Sequence, residues 1–366
     1  MCQQHQHRHS LFCILPPYIL SSIAEHGNVD QRKMALKALV GDPTFRSLRL
    51  GPRLSSDVNR KIPSAFLVAG EKQRTIFTAN YSQNLPGTIV RTEGSPDSGD
   101  IAVDEAYNYL GATYDFFWKI FNRNSIDDEG MPLNGTVHFG QDYANAFWDG
   151  QRMVFGDGDN ELFNRFTISI DVIAHELTHG VTEDETQLLY SSQSGALNES
   201  ISDVFGSLVK QYTLNQTAKE ADWLIGAGLF TDKVQGTNGR AAALRSMKEP
   251  GTAYDDPVLG KDPQPAHMND FVNTFEDNGG VHINSGIPNR AFYLTAINLG
   301  GYAWEKAGRI WYETLLDSRL KPNAKFQRFA ELTVENAKRF GGEEAVRNAW
   351  AQVGILPYNE SIDFSI

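Results

Sequence analysis

Cysteine is nearly absent from this 366-residue chain: Cys2 and Cys13 are the only two, both close to the start. The remaining length therefore holds no disulfide, which excludes a cystine-stapled scaffold and a cysteine-ligated zinc finger. No apolar run reaches the roughly 20 residues a membrane-spanning helix needs. Positive charge is also short, with 33 Lys and Arg against 45 Asp and Glu and a formal net charge of −12. With that balance, no Walker-type loop and no basic stripe, neither nucleic acid nor a membrane is expected as a partner.

What is present describes an ordinary globular protein, 41% hydrophobic and 21% charged, long enough for two lobes and a short extension. The extension is the basic end, carrying six Lys/Arg and three Asp/Glu in residues 1–50. It begins with a His-rich stretch, His5, His7 and His9, that reads as a disordered tail. Pro16-Pro17 interrupt the apolar stretch 11–20 and a small-residue cleavage site is missing, so this start does not read as a secretory signal. Prolines at its start and Gly27 at its end delimit a first short helix. Asp30 precedes a second one over Gln31–Val40, which Gly41-Asp42-Pro43 is expected to close. Such a hairpin is too small to stand alone and should pack on the body. From Phe45 to about Pro63 the composition turns to Arg, Ser, Gly and Pro, a linker open to proteolysis.

The body divides by pattern. Strand signals dominate from 65 to 171, at Arg74–Asn80, Thr88–Thr92 and Thr136–Phe139, with one helical interval at Ala102–Asn122. Beyond Asp171 the signals are helical, at 171–183, 196–213, 285–298, 303–317 and 324–339. A β-rich half followed by an α-rich half predicts an α+β fold of two lobes with chemistry in the cleft between them. The expected organisation is a short helical proregion at 1–50, a linker and processing region at 51–63, a β-rich lobe with the metal-binding helix at 64–190, and a helical lobe at 191–366.

Three clusters carry chemistry. His175-Glu176-Leu-Thr-His179 places two histidines one turn apart on one helix face, able to hold one metal ion, with Glu176 beside them to take a proton from water. Asn198-Glu199-Ser-Ile-Ser-Asp203 follows within an apolar helical pattern, where Glu199 would need a cation and Asp203 could accept a histidine N–H. Asp277-Asn278-Gly279-Gly280-Val281-His282 offers a histidine suited to donate to an oxyanion, with an aspartate five residues earlier.

In this order, and with Tyr143-Ala-Asn145-Ala146-Phe147-Trp148, Tyr190, Gly195-Ala196-Leu197 and Leu244-Arg245-Ser246-Met247, the chain resembles the thermolysin family of zinc metalloendopeptidases from about residue 64 to its end. Pro16-Pro17-Tyr18-Ile-Leu resembles the short proregion of the protealysin subgroup. The resemblance implies a two-lobe metallopeptidase with one zinc ion on His175, His179 and Glu199, and Glu176 as general base. Tyr190 and His282 would donate to the oxyanion, with Asp277 orienting His282. Asp203 and Asn198 would hold the ligating histidines. Arg245 would bind the carbonyl beyond the scissile bond, while Asn145 and Ala146 align the peptide. The pocket for the residue after the scissile bond falls on Phe163, Phe166, Val172, Ile225 and Leu244, which implies a bulky hydrophobic preference there.

A monomeric protease made as a self-processing zymogen is the implied protein, its partners being protein and peptide substrates and its own proregion. It would be extracellular by an export route without a recognisable signal, with a cytoplasmic precursor as the alternative. One departure concerns calcium. Asp171 and Asp222 remain of the paired site, but Lys210, Leu224 and Ala227 stand where the family has acids, so calcium binding is expected to be reduced or absent. The alternatives are a silent relative that only binds peptides and a zinc hydrolase of other substrates. Intact Glu176, Tyr190 and His282 speak against the first; Asn145 and Arg245 speak against the second.

Overall fold

The computed structural model describes residues 12–50 and 69–357. The His-rich start and the 51–63 linker lie outside the described residues. After a two-residue strand β1 (Phe12–Cys13), helices α1 (Pro17–His26) and α2 (Val29–Leu50) form the expected hairpin. Pro sits in the first turn of α1, where a missing N–H costs nothing, and the Gly27 N–H closes the helix on the Ile23 carbonyl at 2.9 Å. The second helix departs from expectation. It runs through Gly41-Asp42-Pro43 to Leu50 instead of ending there. Proline removes one N–H, but the turns on either side keep their own bonds, so a breaker lowers helix preference without dictating a terminus. The hairpin packs on the body: Ile14, Leu15, Ile19, Leu20, Ile23, Met34, Ala35 and Ala38 are buried in the core of the sheet half.

That half is built on β2 (Arg74–Thr78), β3 (Thr88–Thr92), β4 (Leu133–Val137), β5 (Ala146–Trp148) and β6 (Met153–Phe155), with α3 (Ile101–Phe121) packed on β2 and β4. The sheet order is β1-β5-β6-β4-β2-β3, mixed parallel and antiparallel. The Asp100 side chain starts α3 by accepting the N–H groups of Ala102 and Val103, at 2.9 and 3.3 Å. The N-terminal segment is thus the edge strand of the body's own sheet, paired antiparallel to β5 with Phe12 opposite Trp148 and Cys13 opposite Phe147.

Helices α4 (Ile170–Glu185) and α5 (Ser192–Leu214) pack side by side at the centre. Both are buried along most of their length, so the polar side chains on their facing surfaces must find partners inside the protein. Short strands β7 (Leu224–Ile225), β8 (Arg245–Ser246), β9 (Asp255–Asp256) and β10 (Gly260–Lys261) follow. Then come α6 (Asp277–Asn284), α7 (Gly286–Leu299), α8 (Ala307–Leu315), α9 (Phe326–Ala337) and α10 (Glu343–Gln352), which close a second core around Trp223, Phe292, Trp311, Phe329 and Trp350. The architecture is the α+β arrangement expected, a β-rich half and a helical half. Among the described residues no helix is long and apolar enough to cross a membrane.

Candidate active site

His175 and His179 stand on α4 and Glu199 on α5, all three fully buried, with one ligand atom from each within 4.8 Å of the others. The imidazole Nδ1 atoms are already committed: His175 to Asp203 Oδ1 at 2.8 Å, and His179 to Asn198 Oδ1 at 2.7 Å, with Ser202 Oγ at 3.0 Å. Donation from Nδ1 leaves each Nε2 as an acceptor, and the two face each other at 3.0 Å. Glu199 adds its carboxylate 3.5 Å from each of them, and its Oε2 is buried without a hydrogen-bond partner among the described residues. Two lone pairs and a carboxylate oxygen without a hydrogen bond converge on one point, an arrangement that a bound cation would satisfy. Two nitrogens and one carboxylate fit zinc with a position left open.

Electrostatics agree. Burial raises the Glu199 pKa, but His282 and His179 outweigh it and hold the carboxyl well below its ordinary range. Burial likewise opposes charge on Asp203, yet Arg245 and His175 bring it to about 2. Glu176 is the exception: burial lifts it well above the usual carboxylate range. Its Oε2 accepts the Trp148 N–H at 3.2 Å and its Oε1 has no hydrogen-bond partner among the described residues, a carboxyl placed to take up and release a proton.

The third cluster lies opposite. α6 opens with four successive residues at positive φ: Asp277 (51°), Asn278 (51°), Gly279 (86°) and Gly280 (75°). Asn and Gly tolerate this left-handed path, which accounts for the Asn-Gly-Gly run. It folds Asp277 back onto His282, Oδ1 to Nδ1 at 2.6 Å and Oδ2 to the backbone N–H at 2.8 Å. Asp277 and Glu199 raise the His282 pKa against the effect of burial, favouring the doubly protonated ring. Its Nε2 lies 3.2 Å from both the Tyr190 hydroxyl and the Cys13 carbonyl. Tyr190 donates to Glu199 Oε1, and burial keeps its phenol protonated.

Arg245 is buried and bidentate on Asp203, at 2.8 Å from Nε and from Nη2, and its Nη1 donates to the Ile14 carbonyl at 3.3 Å. Asn145 Oδ1 accepts the Leu15 N–H at 3.2 Å, and the Ala146 carbonyl accepts the Ile14 N–H at 3.3 Å. Phe163, Phe166, Val172 and Leu244 share one apolar cluster with Ile14, while Ile225 belongs to the neighbouring core. The structure therefore brings together the residues singled out from sequence except Ile225, which it places in the adjoining core.

Sequence reasoning missed several supports. Asn289 on α7 donates to Asp203 Oδ2 at 2.8 Å, and Gln264 donates to the His282 carbonyl at 2.8 Å and to Ser285 Oγ at 3.0 Å. No local pattern marks them, because each is a lone polar residue in a distant segment that only the tertiary fold delivers.

The comparisons with known proteins agree with this geometry. Residues 62–183 match the family described as thermolysin metallopeptidase, catalytic domain, and residues 186–355 match its alpha-helical domain. An extracellular metalloprotease of Pectobacterium carotovorum subsp. carotovorum is 59% identical over 345 residues, 93% of this chain and 96% of the relative. Protease PrtS of a Photorhabdus species is 50% identical over 355 residues, 96% and 94% of the two chains. Among solved structures, the precursor of protealysin, a metalloproteinase from Serratia proteamaculans, superposes with a TM-score of 0.84 at 55% identity, covering 94% of this chain and 99% of that one.

Proposed function

Since the chain belongs to the thermolysin family of zinc metallopeptidases, we propose that it is an endopeptidase made as a precursor that processes itself, cutting before a bulky hydrophobic residue. The observation that carries this reading is how the N-terminal segment lies in the cleft. It runs extended along β5, with Cys13 C=O at His282, Ile14 N–H on Ala146, Ile14 C=O on Arg245 and Leu15 N–H on Asn145. That is strand addition to a sheet edge, the way a peptide substrate is aligned. Cys13 takes the place of the residue before the scissile bond and Ile14 the place after it. The preference for a hydrophobic residue follows from an aliphatic side chain buried at that position.

His175, His179 and Glu199 would hold the zinc, which when bound polarises a carbonyl and makes water acidic enough to attack at neutral pH. Glu176 accepts the proton from water and delivers it to the leaving nitrogen. His282 and Tyr190 donate to the oxygen that becomes negative, and Asp277 keeps His282 turned towards it. Asp203 and Asn198 fix the Nδ1 tautomers that leave Nε2 free to ligate. Arg245, Asn145 and Ala146 hold the peptide on either side of the bond.

As long as residues 12–15 occupy the cleft, an external peptide cannot take the same hydrogen bonds. Residues 1–50 thus serve as an inhibitory proregion, and maturation requires a cut in or near 45–63. The test is intact mass over time with zinc, beside Glu176→Ala. Loss of an N-terminal piece from the wild type alone is expected; no change in either protein would remove self-processing and favour a silent, peptide-binding relative. The mature protein would act as a monomer on protein and peptide substrates, outside the cell, as the name of its Pectobacterium relative suggests.

Calcium has a reduced role in this reading. Lys210 Nζ sits 2.8 Å from Asp171 and 2.9 Å from Asp222, and donates to the Leu224 carbonyl at 2.6 Å, so an ammonium occupies the space between carboxylates that a divalent ion would bridge. The thermal midpoint of the zinc-loaded protein is expected to be the same without calcium and in micromolar calcium. Strong stabilisation by micromolar calcium would sink this part of the proposal.

A further inference from the structure

Lys210 has a second consequence, at the pocket proposed for the residue after the scissile bond. Two of the residues proposed to line it, Val172 and Ile225, directly follow in sequence the residues that the Lys210 ammonium group holds, Asp171 and Leu224. Asp171 precedes the wall residue Val172; its Oδ2 pairs with Lys210, and its Oδ1 accepts the Gly226 N–H at 3.2 Å. Lys210 donates to Leu224, so the residues on both sides of Ile225 are tied to one ion cluster. Ile225 in turn pairs with Arg245 across β7 and β8, and its carbonyl accepts the Leu244 N–H at 2.9 Å. There is little slack in this wall: Gly226 has φ +69°, and a Cβ on it would meet Leu244 Cδ1 at 2.8 Å.

We propose that Lys210 is the positioning residue that sets the width of this pocket, and with it the choice between aliphatic and aromatic residues after the scissile bond. The inference rests on the peptidase reading above. Physically, removing the ammonium leaves the Asp171 carboxylate, 1% exposed, facing the Leu224 carbonyl with no cation between them. The carboxylate repels the negative end of the carbonyl dipole, and β7 is expected to move outward with Ile225. Asp222 cannot compensate, being itself acidic. A structural lysine would affect only stability; a lysine that holds a pocket wall must also affect selectivity.

The experiment expresses Lys210→Met and Lys210→Arg as full chains, matures them with zinc, and compares kcat/KM on two peptides that differ only in Leu or Phe after the scissile bond. In Lys210→Met the Leu-to-Phe preference is expected to shift towards Phe by ~10-fold, the low end of what a methylene-sized change in a hydrophobic pocket produces. The shift should lie mainly in KM. Lys210→Arg, which keeps the cation on a larger head group, should shift the preference less than Lys210→Met. If Lys210→Met does not fold, Lys210→Gln is read by the same criterion. A lower thermal midpoint with an unchanged preference, or an equal shift in Lys210→Arg, overturns the inference. Failure of the wild type to cut either peptide would instead overturn the peptidase reading.

Discussion

Glu176→Gln is expected to lower kcat/KM on a peptide by about 10⁴-fold, the upper end of what one general base contributes and equivalent to ~5.4 kcal/mol of barrier. The size follows from the double duty proposed for it, in which the same carboxyl takes the proton from water and returns it to the leaving nitrogen. Burial raises its pKa well above the ordinary value, which suits a group that must carry the proton between the two events. The metal content should not change, because Glu176 lies outside the His175, His179 and Glu199 group. Stoichiometric zinc with turnover near the detection limit is the expected pair of measurements. A variant that keeps its zinc and retains a tenth or more of the wild-type rate would show that the proton has another carrier.

The second large effect is expected at the other side of the cleft. Ile14 is fully buried, and its backbone is held at both ends by Ala146 and Arg245. Ile14→Asp removes about 2–3 kcal/mol of apolar burial and asks the pocket to accept a charge, which costs several kcal/mol more. The proregion then leaves the site, although the rest of the hairpin still has its own buried contacts through Ile19, Leu20 and Ile23. Freshly purified full-length Ile14→Asp should hydrolyse an added peptide at least ~100-fold faster than the wild-type full chain, before any change in mass, since 2.7 kcal/mol of lost docking corresponds to that ratio. Equal, slow rates in the two proteins would mean that residues 12–15 are not what restrains the enzyme.

Much of the site could be read from the sequence because its chemistry is local. His175 and His179 meet through helical spacing alone, and Asp277 reaches His282 within one short turn. Glu199 could be inferred because a carboxylate among Leu197, Ile201 and Val204 needs a cation. The two-lobe arrangement was legible for a similar reason: period-two signals precede Asp171 and helical periods follow it. The end of α2 was misread, since Gly41 and Pro43 change a local preference that the rest of a helix can override.

Other features existed only once the chain had folded. Asn289 and Gln264 lie far in sequence from the residues they hold, and no spacing announces them. The replacement of an acid by Lys210 could be seen in the sequence, but its attachment to Leu224, beside the hold of Asp171 on Gly226, could not. Residues 12–15 read as an apolar stretch before two prolines; their place as a sixth strand beside β5 depends on an edge that other segments build. The sequence by itself determined which candidate metal-binding and proton-carrying groups lie together, because periodicity and short turns make neighbours of them. Tertiary structure decided what fills the cleft and what shapes its pocket, because those contacts join segments that meet only when the sheet edge and the α4–α5 pair are in place.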